Sequence, residues 1–199
     1  MPKVTTEYRQ ARRDEIADAA LRCFAQRGFQ ATSMADIIEA SGLSAGAIYG
    51  HYAGKQEIIM AVAERILGER SIELEHFAVA DAMPSPAEVI RLMVTRVADE
   101  FSGTQSLLQV WAEAVVTPEI ITLVDSVFTR VRAALTHYLT AWATQNPHPS
   151  RHNPVEWAEA VALVLFGIGQ GYVVQSTLIA SFDADAYFAG VDELFRVER

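Results

Sequence analysis

Residues 33–52, SMADIIEASGLSAGAIYGHY, constrain the fold more than any other stretch of the chain. Ser33 can cap a helix by accepting from an unpaired amide of its first turn, and Asp36, three residues on, brings a carboxylate to the positive helix end. Met34, Ile37 and Ile38 fall on one face at helical period, and Gly42 can take the left-handed conformation that stops the helix. Ser41, Gly42 and Leu43 then make a tight connector, and Ser44 caps a second helix. Ala45, Gly46 and Ala47 leave the first turn of that helix nearly without side chains, Ile48 points back to a core, and Tyr49 and His51 follow at its exit. Two short helices joined this tightly form a helix-turn-helix, and so bare a helix start can approach a phosphate or a groove edge. Cap, apolar face and glycine are equally compatible with an ordinary helical corner, so the flanking residues have to decide.

Those residues are helical in pattern throughout. Residues 7–28 carry Ile16, Ala20, Cys23, Phe24 and Arg27 at helical spacing, with Gly28 as the stop and Phe29 plugging the corner. Ala53 and Gly54 make a short break before a helix from Lys55 to Phe77, and Asp81–Pro86, with its two prolines, reads as a linker. Helices are expected at about 86–102, 105–116, 118–145, 155–180 and 184–197. No segment alternates like a strand. The expected fold is therefore all-α, a three-helix head containing the helix-turn-helix followed by an antiparallel helical bundle. The division reads as 1–54 for the head, 55–80 for a connecting helix and 81–199 for the bundle.

The net charge of −9 over 199 residues argues against a nucleic-acid binder until it is divided. Residues 1–58 hold seven basic and seven acidic side chains, whereas residues 59–199 hold nine basic and eighteen acidic ones. A neutral head with clustered arginines under an acidic body permits DNA contact through the head and disfavours it elsewhere. The longest apolar run, Ala160 to Gly169, ends at Gln170, and MPKVTTEYRQARRDE lacks the apolar core of a signal peptide, so a cytoplasmic protein with no membrane span is expected. Cys23, the lone cysteine, excludes an intrachain disulfide and lies on the apolar stripe of the first helix as a buried thiol.

No cofactor or metal site is expected. His148 and His152 sit in the polar loop QNPHPSRHNP without nearby carboxylates. Glu73 and His76 form a single Glu-x-x-His, half of the motif of di-iron bundle enzymes, and no second copy exists. A helical-bundle metal enzyme is thus a weak alternative, as is a helix-turn-helix used only for protein contacts. Gly167 and Gly171, four apart on one helix face, suit close packing against another helix, inside the chain or across a subunit interface.

Three consecutive pieces, EIADAALRCFAQRGFQATSM, ADIIEASGLSAGAIYGHY and AGKQEII, resemble the DNA-binding head of the TetR family of bacterial regulators. The match rests on a Phe-x-x-x-Gly-Phe corner, a Gly-Leu-Ser turn, a Tyr-x-His-Tyr exit and Lys55, and covers about a third of the chain. The resemblance implies that Ser33 and Ser44 hold phosphates at the two helix starts. It likewise implies that Tyr49, His51 and Lys55 contact the backbone, and that Ala45, Gly46 and Ala47 lie against base edges of double-stranded operator DNA. Tyr49 is expected to pack its ring and leave its hydroxyl exposed. Family members often have Lys at the position of Ala45 and a larger polar residue at Gly50, so direct readout from this helix is expected to be thin. Apolar contact with thymine methyls, DNA shape and the cluster of Arg9, Arg12 and Arg13 would carry the remainder.

By the same resemblance the chain is not an enzyme but a repressor, binding a palindromic operator as a homodimer and released by a small-molecule effector of unknown identity. The dimer would form through helices 155–180 and 184–197, whose Val161, Leu165, Ile168, Val173, Leu178, Phe188, Val191, Leu194 and Phe195 exceed what one bundle end can bury. An effector pocket is expected among Phe101, Gln109, Trp111, Glu113, Phe128, Trp142, Phe166 and Gln170, with the helix from Lys55 to Phe77 as transmitter.

Overall fold

The computed structural model describes residues 6–100, 103–148 and 153–196, and these contain nine α-helices and no strand. The helices are α1 (Thr6–Arg27), α2 (Met34–Ser41), α3 (Ala45–Tyr49), α4 (Lys55–Ala78), α5 (Pro86–Glu100), α6 (Thr104–Val116), α7 (Pro118–Gln145), α8 (Pro154–Leu178) and α9 (Ala184–Leu194). The caps expected at Ser33 and Ser44 are present, and further helix starts carry caps of the same kind. Ser33, Ser44, Asn153 and Asp183 each accept from an amide of the first turn, and Pro154 occupies a position where a missing N–H costs nothing. Ser85 and Glu88 form a further capping box at α5: the Ser85 amide donates to the carboxylate and the Glu88 amide to the hydroxyl.

The chain folds into two compact units, residues 1–65 with 101–124 and residues 66–100 with 125–199. In the first, α1 packs along α2, and Ile16, Ala20, Cys23, Phe24, Phe29, Ile37, Ile48, Tyr52, Ile58 and Val62 close a core. Phe24 and Phe29 meet at 5.3 Å between ring centres, and the Thr32 hydroxyl reaches the carbonyls of Gly28 and Cys23, fixing the turn between α1 and α2. Cys23 is buried as expected, and its thiol is pushed up chiefly by that burial and then by Asp36. Nothing in the residues marks α6 as a companion of the head. It is placed there by packing: a methyl group on Gly28, which has φ +77°, would come within 2.3 Å of the Gln109 side-chain oxygen.

In the second unit α5, α7, α8 and α9 share a core of Val89, Ile90, Met93, Leu135, Tyr138, Leu139, Trp142, Ala158, Ala162, Leu165, Phe188 and Val191. Gly169 lets α8 approach α5, since a Cβ there would sit 3.0 Å from Ile90 Cδ1. Gly171 does the same for α9: the Tyr187 hydroxyl donates to the Ile168 carbonyl at 2.7 Å through space that a Cβ on Gly171 would fill. Gly167 faces no atom within 4 Å. The pair expected to act together therefore divides, Gly171 serving the interior and Gly167 remaining open. Among the described residues α8 is the one helix that by length and composition could cross a membrane, but Ala158, Ala162, Leu165, Gly169 and Val173 are buried in this helical unit.

Candidate nucleic-acid interface

Helix α3 is five residues long and is held by one buried side chain, Ile48. Ser44, Ala45, Gly46, Ala47 and Tyr49 surround that anchor and are all exposed, so the sequence-expected reading surface is presented as a continuous face. Ser44 accepts from the Ala47 amide and caps the helix. Tyr49 is 54 % exposed, while the packed ring of this region belongs to Tyr52, which is 2 % exposed. Tyr49 is thus more exposed than the packed ring expected for it, and more than half of its surface is open. His51 is half-buried at the exit of α3.

The two other expected contacts have partners within the protein. Ser33 donates its hydroxyl to Asp36 at 2.6 Å and its amide at 2.7 Å, and accepts from the Asp36 amide, a complete capping box. Hydrogen bonds from Ser33 come first, ahead of Arg27, in holding the Asp36 carboxyl below its usual range. Lys55 Nζ donates to the carbonyls of Phe29 at 2.7 Å, Thr32 at 2.9 Å and Gln30 at 3.4 Å, and lies 4.3 Å from the centre of the Phe29 ring. The arginine cluster divides in the same way. Arg12 pairs with Glu15 and stacks over Tyr8, Arg13 donates to the His51 carbonyl at 2.7 Å, and Arg9 is exposed. Sequence reasoning missed the bond from Arg13 to the His51 carbonyl, because a backbone carbonyl acceptor leaves no mark in a sequence.

The residues expected to line an effector pocket are distributed. Gln109 and the half-buried Trp111 lie on α6 in the first unit. Phe128 of α7 and Phe166 of α8 meet edge-on at 4.8 Å in the second, where Gln170 is half-buried one turn further along α8. Trp142 is 3 % exposed and stacks on Trp157 at 5.9 Å, so it belongs to the core cluster. Phe101 and the Glu113 side chain lie outside the described residues. Of the motif that suggested a metal enzyme, Glu73 pairs with Arg96 and His76 is exposed; of the two loop histidines, His148 is exposed and His152 lies outside the described residues.

Residues 16–62 match the family model of bacterial regulatory proteins, tetR family, and this segment spans the core of α1, the helix-turn-helix and the start of α4. Residues 16–62 are thus a tetR-family segment. Among its relatives, an uncharacterized HTH-type transcriptional regulator of Bacillus subtilis, YfiR, is 32 % identical over 108 residues, covering 52 % of this chain and 53 % of that protein. The HTH-type transcriptional repressor Rv1474c of Mycobacterium tuberculosis is 40 % identical over 63 residues, covering 32 % of this chain and 34 % of the repressor. The matched part thus spans about half the length of the first relative and a third of the second. The whole fold is shared with FadR of Bacillus subtilis, solved in complex with stearoyl-CoA, at a TM-score of 0.67 and 17 % identity, covering 92 % of this chain and 96 % of that one. These relatives are transcriptional regulators, and the tetR-family assignment replaces the metal-enzyme alternative.

Proposed function

We propose that this tetR-family protein is a ligand-responsive repressor that binds a palindromic operator as a homodimer. The observation that carries the reading is α3: a five-residue helix anchored by Ile48, with Ser44, Ala45, Gly46, Ala47 and Tyr49 exposed around it. Ala45, Gly46 and Ala47 lie against base edges, where their small side chains admit close approach, and Ser44, Tyr49 and His51 position the helix on phosphates. The mycobacterial relative described as a repressor supports the sign of regulation.

Dimerisation is supported by apolar surface on α8 and α9. Leu163, Val164 and Leu178 are 56 %, 61 % and 71 % exposed, beside the open Gly167, and Leu194 on α9 is 71 % exposed. Such a face suits a second copy of the same helices, and pairing two heads multiplies contacts that one head makes too few of. Several residues first assigned to this interface, Leu165, Val173, Phe188 and Val191, are buried within the chain. They occupy the sides of α8 and α9 that meet α5 and each other.

The effector is a small molecule that prefers a head spacing unsuited to DNA, with Phe128, Phe166 and Gln170 as its best-supported contacts and α4 as the transmitter. The protein acts in the cytoplasm. The test is selection of duplexes from a random pool followed by binding at rising salt. Specific binding with a steep loss of affinity is expected from phosphate contacts; absence of any selected duplex would refute the reading.

A further inference from the structure

Helix α3 is too short to hold its own pitch. With five residues and one buried side chain, its orientation depends on what grips its two ends. Ser44 grips the start. The exit is gripped from α1: Arg13 Nη1 donates to the His51 carbonyl at 2.7 Å, its guanidinium lies 4.2 Å from the centre of the Tyr52 ring, and the Tyr52 hydroxyl donates back to the Arg13 carbonyl at 3.1 Å. Carbonyls just beyond a helix end lack an amide partner and carry the negative end of the helix dipole, so a guanidinium suits this place. A second cation acts one corner away. The three carbonyls within reach of Lys55 Nζ, those of Phe29, Gln30 and Thr32, equal in number the three N–H bonds of an ammonium, and all lie in the connection from α1 to α2.

We propose that Arg13 and Lys55 are positioning residues for DNA recognition, locking the exit of α3 and the entry to α2, and are not phosphate contacts. The proposal rests on the DNA-binding reading above. For either cation to reach a phosphate it must leave backbone carbonyls that would then lose a charge-assisted hydrogen bond. What the two residues supply is the angle at which Ala45, Gly46 and Ala47 meet the groove. Their loss therefore weakens recognition of the correct sequence and spares the general attraction to DNA, which comes from phosphate neutralisation.

The experiment measures binding of the full chain to a duplex selected from a random pool and to a scrambled duplex, each over a range of salt concentrations. Arg13→Lys and Lys55→Arg keep the charge and alter the geometry; Arg13→Ala and Lys55→Ala remove both. The expected result is a loss of about tenfold on the selected duplex, little change on the scrambled one, and an unchanged slope of log affinity against log salt. A slope shallower by about one, as for a lost phosphate contact, overturns the proposal. So does an equal loss on both duplexes, which would also result from a smaller folded fraction. Should the alanine variants fail to fold, Tyr52→Phe keeps the buried ring and removes the hydroxyl with its bond to the Arg13 carbonyl. It should lose affinity a few-fold on the selected duplex alone, and wild-type binding by both Tyr52→Phe and Arg13→Lys overturns the proposal. Failure of the wild-type protein to select any duplex sinks the DNA-binding reading itself, a separate result.

Discussion

Gly42 and Gly46 are four residues apart, both exposed and both with nothing within 4 Å of where a Cβ would stand, yet alanine should act on them in opposite directions. Gly42 ends α2 at φ +67°, so Gly42→Ala pays only for the left-handed backbone and should lower stability by about 1 kcal/mol in denaturant unfolding. Gly46 lies in right-handed helix, and Gly46→Ala should raise stability by roughly half to one kcal/mol. The same methyl group would stand where the base edges are proposed to approach, so operator affinity should fall while stability rises; unchanged affinity would remove Gly46 from the interface. Asp36 gives a prediction of a different kind. Its carboxyl is held below its ordinary 3.8, chiefly by Ser33, so its contribution is complete above that ordinary value and lost as pH falls through the lower folded value. Asp36→Asn should lower the melting temperature near neutral pH and reduce its further fall on acidification below about pH 4. A melting curve as steep in pH as the wild type would count against the capping box.

Helix α8 is where reading and structure part company. Its extent was legible, about 155–180 expected and Pro154–Leu178 found, because the polar, proline-rich loop before it and the apolar run from Ala160 to Gly169 are local signals. Its faces were not, because residues such as Leu163, Val164 and Leu165 are alike in chemistry, and only the neighbours decide that Leu165 is buried while the other two are exposed. Its glycines separate the two cases. Gly171→Ala should displace the Tyr187 hydroxyl from the Ile168 carbonyl and cost about 1 to 2 kcal/mol in unfolding. Gly167→Ala should raise the stability of the isolated chain, as at Gly46, and weaken self-association, measured by sedimentation equilibrium. At the candidate interface the balance is similar. The presentation of α3 followed from a cap, three small residues and one isoleucine, whereas the carbonyl partners of Arg13 and Lys55 depend on contacts 38 and about 25 residues away in sequence.

For the whole molecule, the proposed dimer makes operator affinity depend on two heads binding together. Leu163→Glu combined with Val164→Glu should give a monomer in sedimentation and a steep loss of operator affinity, with helix content retained. If dimers and operator binding both survive, the proposed interface lies elsewhere. Electrostatics set a second expectation. Arg12 and Arg27 pair with Glu15 and Asp36, Arg13 and Lys55 are engaged with backbone carbonyls, and the remainder of the chain is acidic. Long-range steering should therefore be weak, leaving association slow and specificity dependent on residence time. The sparse face of α3 also carries an opportunity. Because Ile48 alone ties this helix into the core, a long polar side chain at Ala45 or Ala47 displaces nothing inside the protein. On the proposed DNA reading, the head would then be a scaffold open to retargeting, in which substitutions at Ala45 and Ala47 change the operator address at little cost to folding.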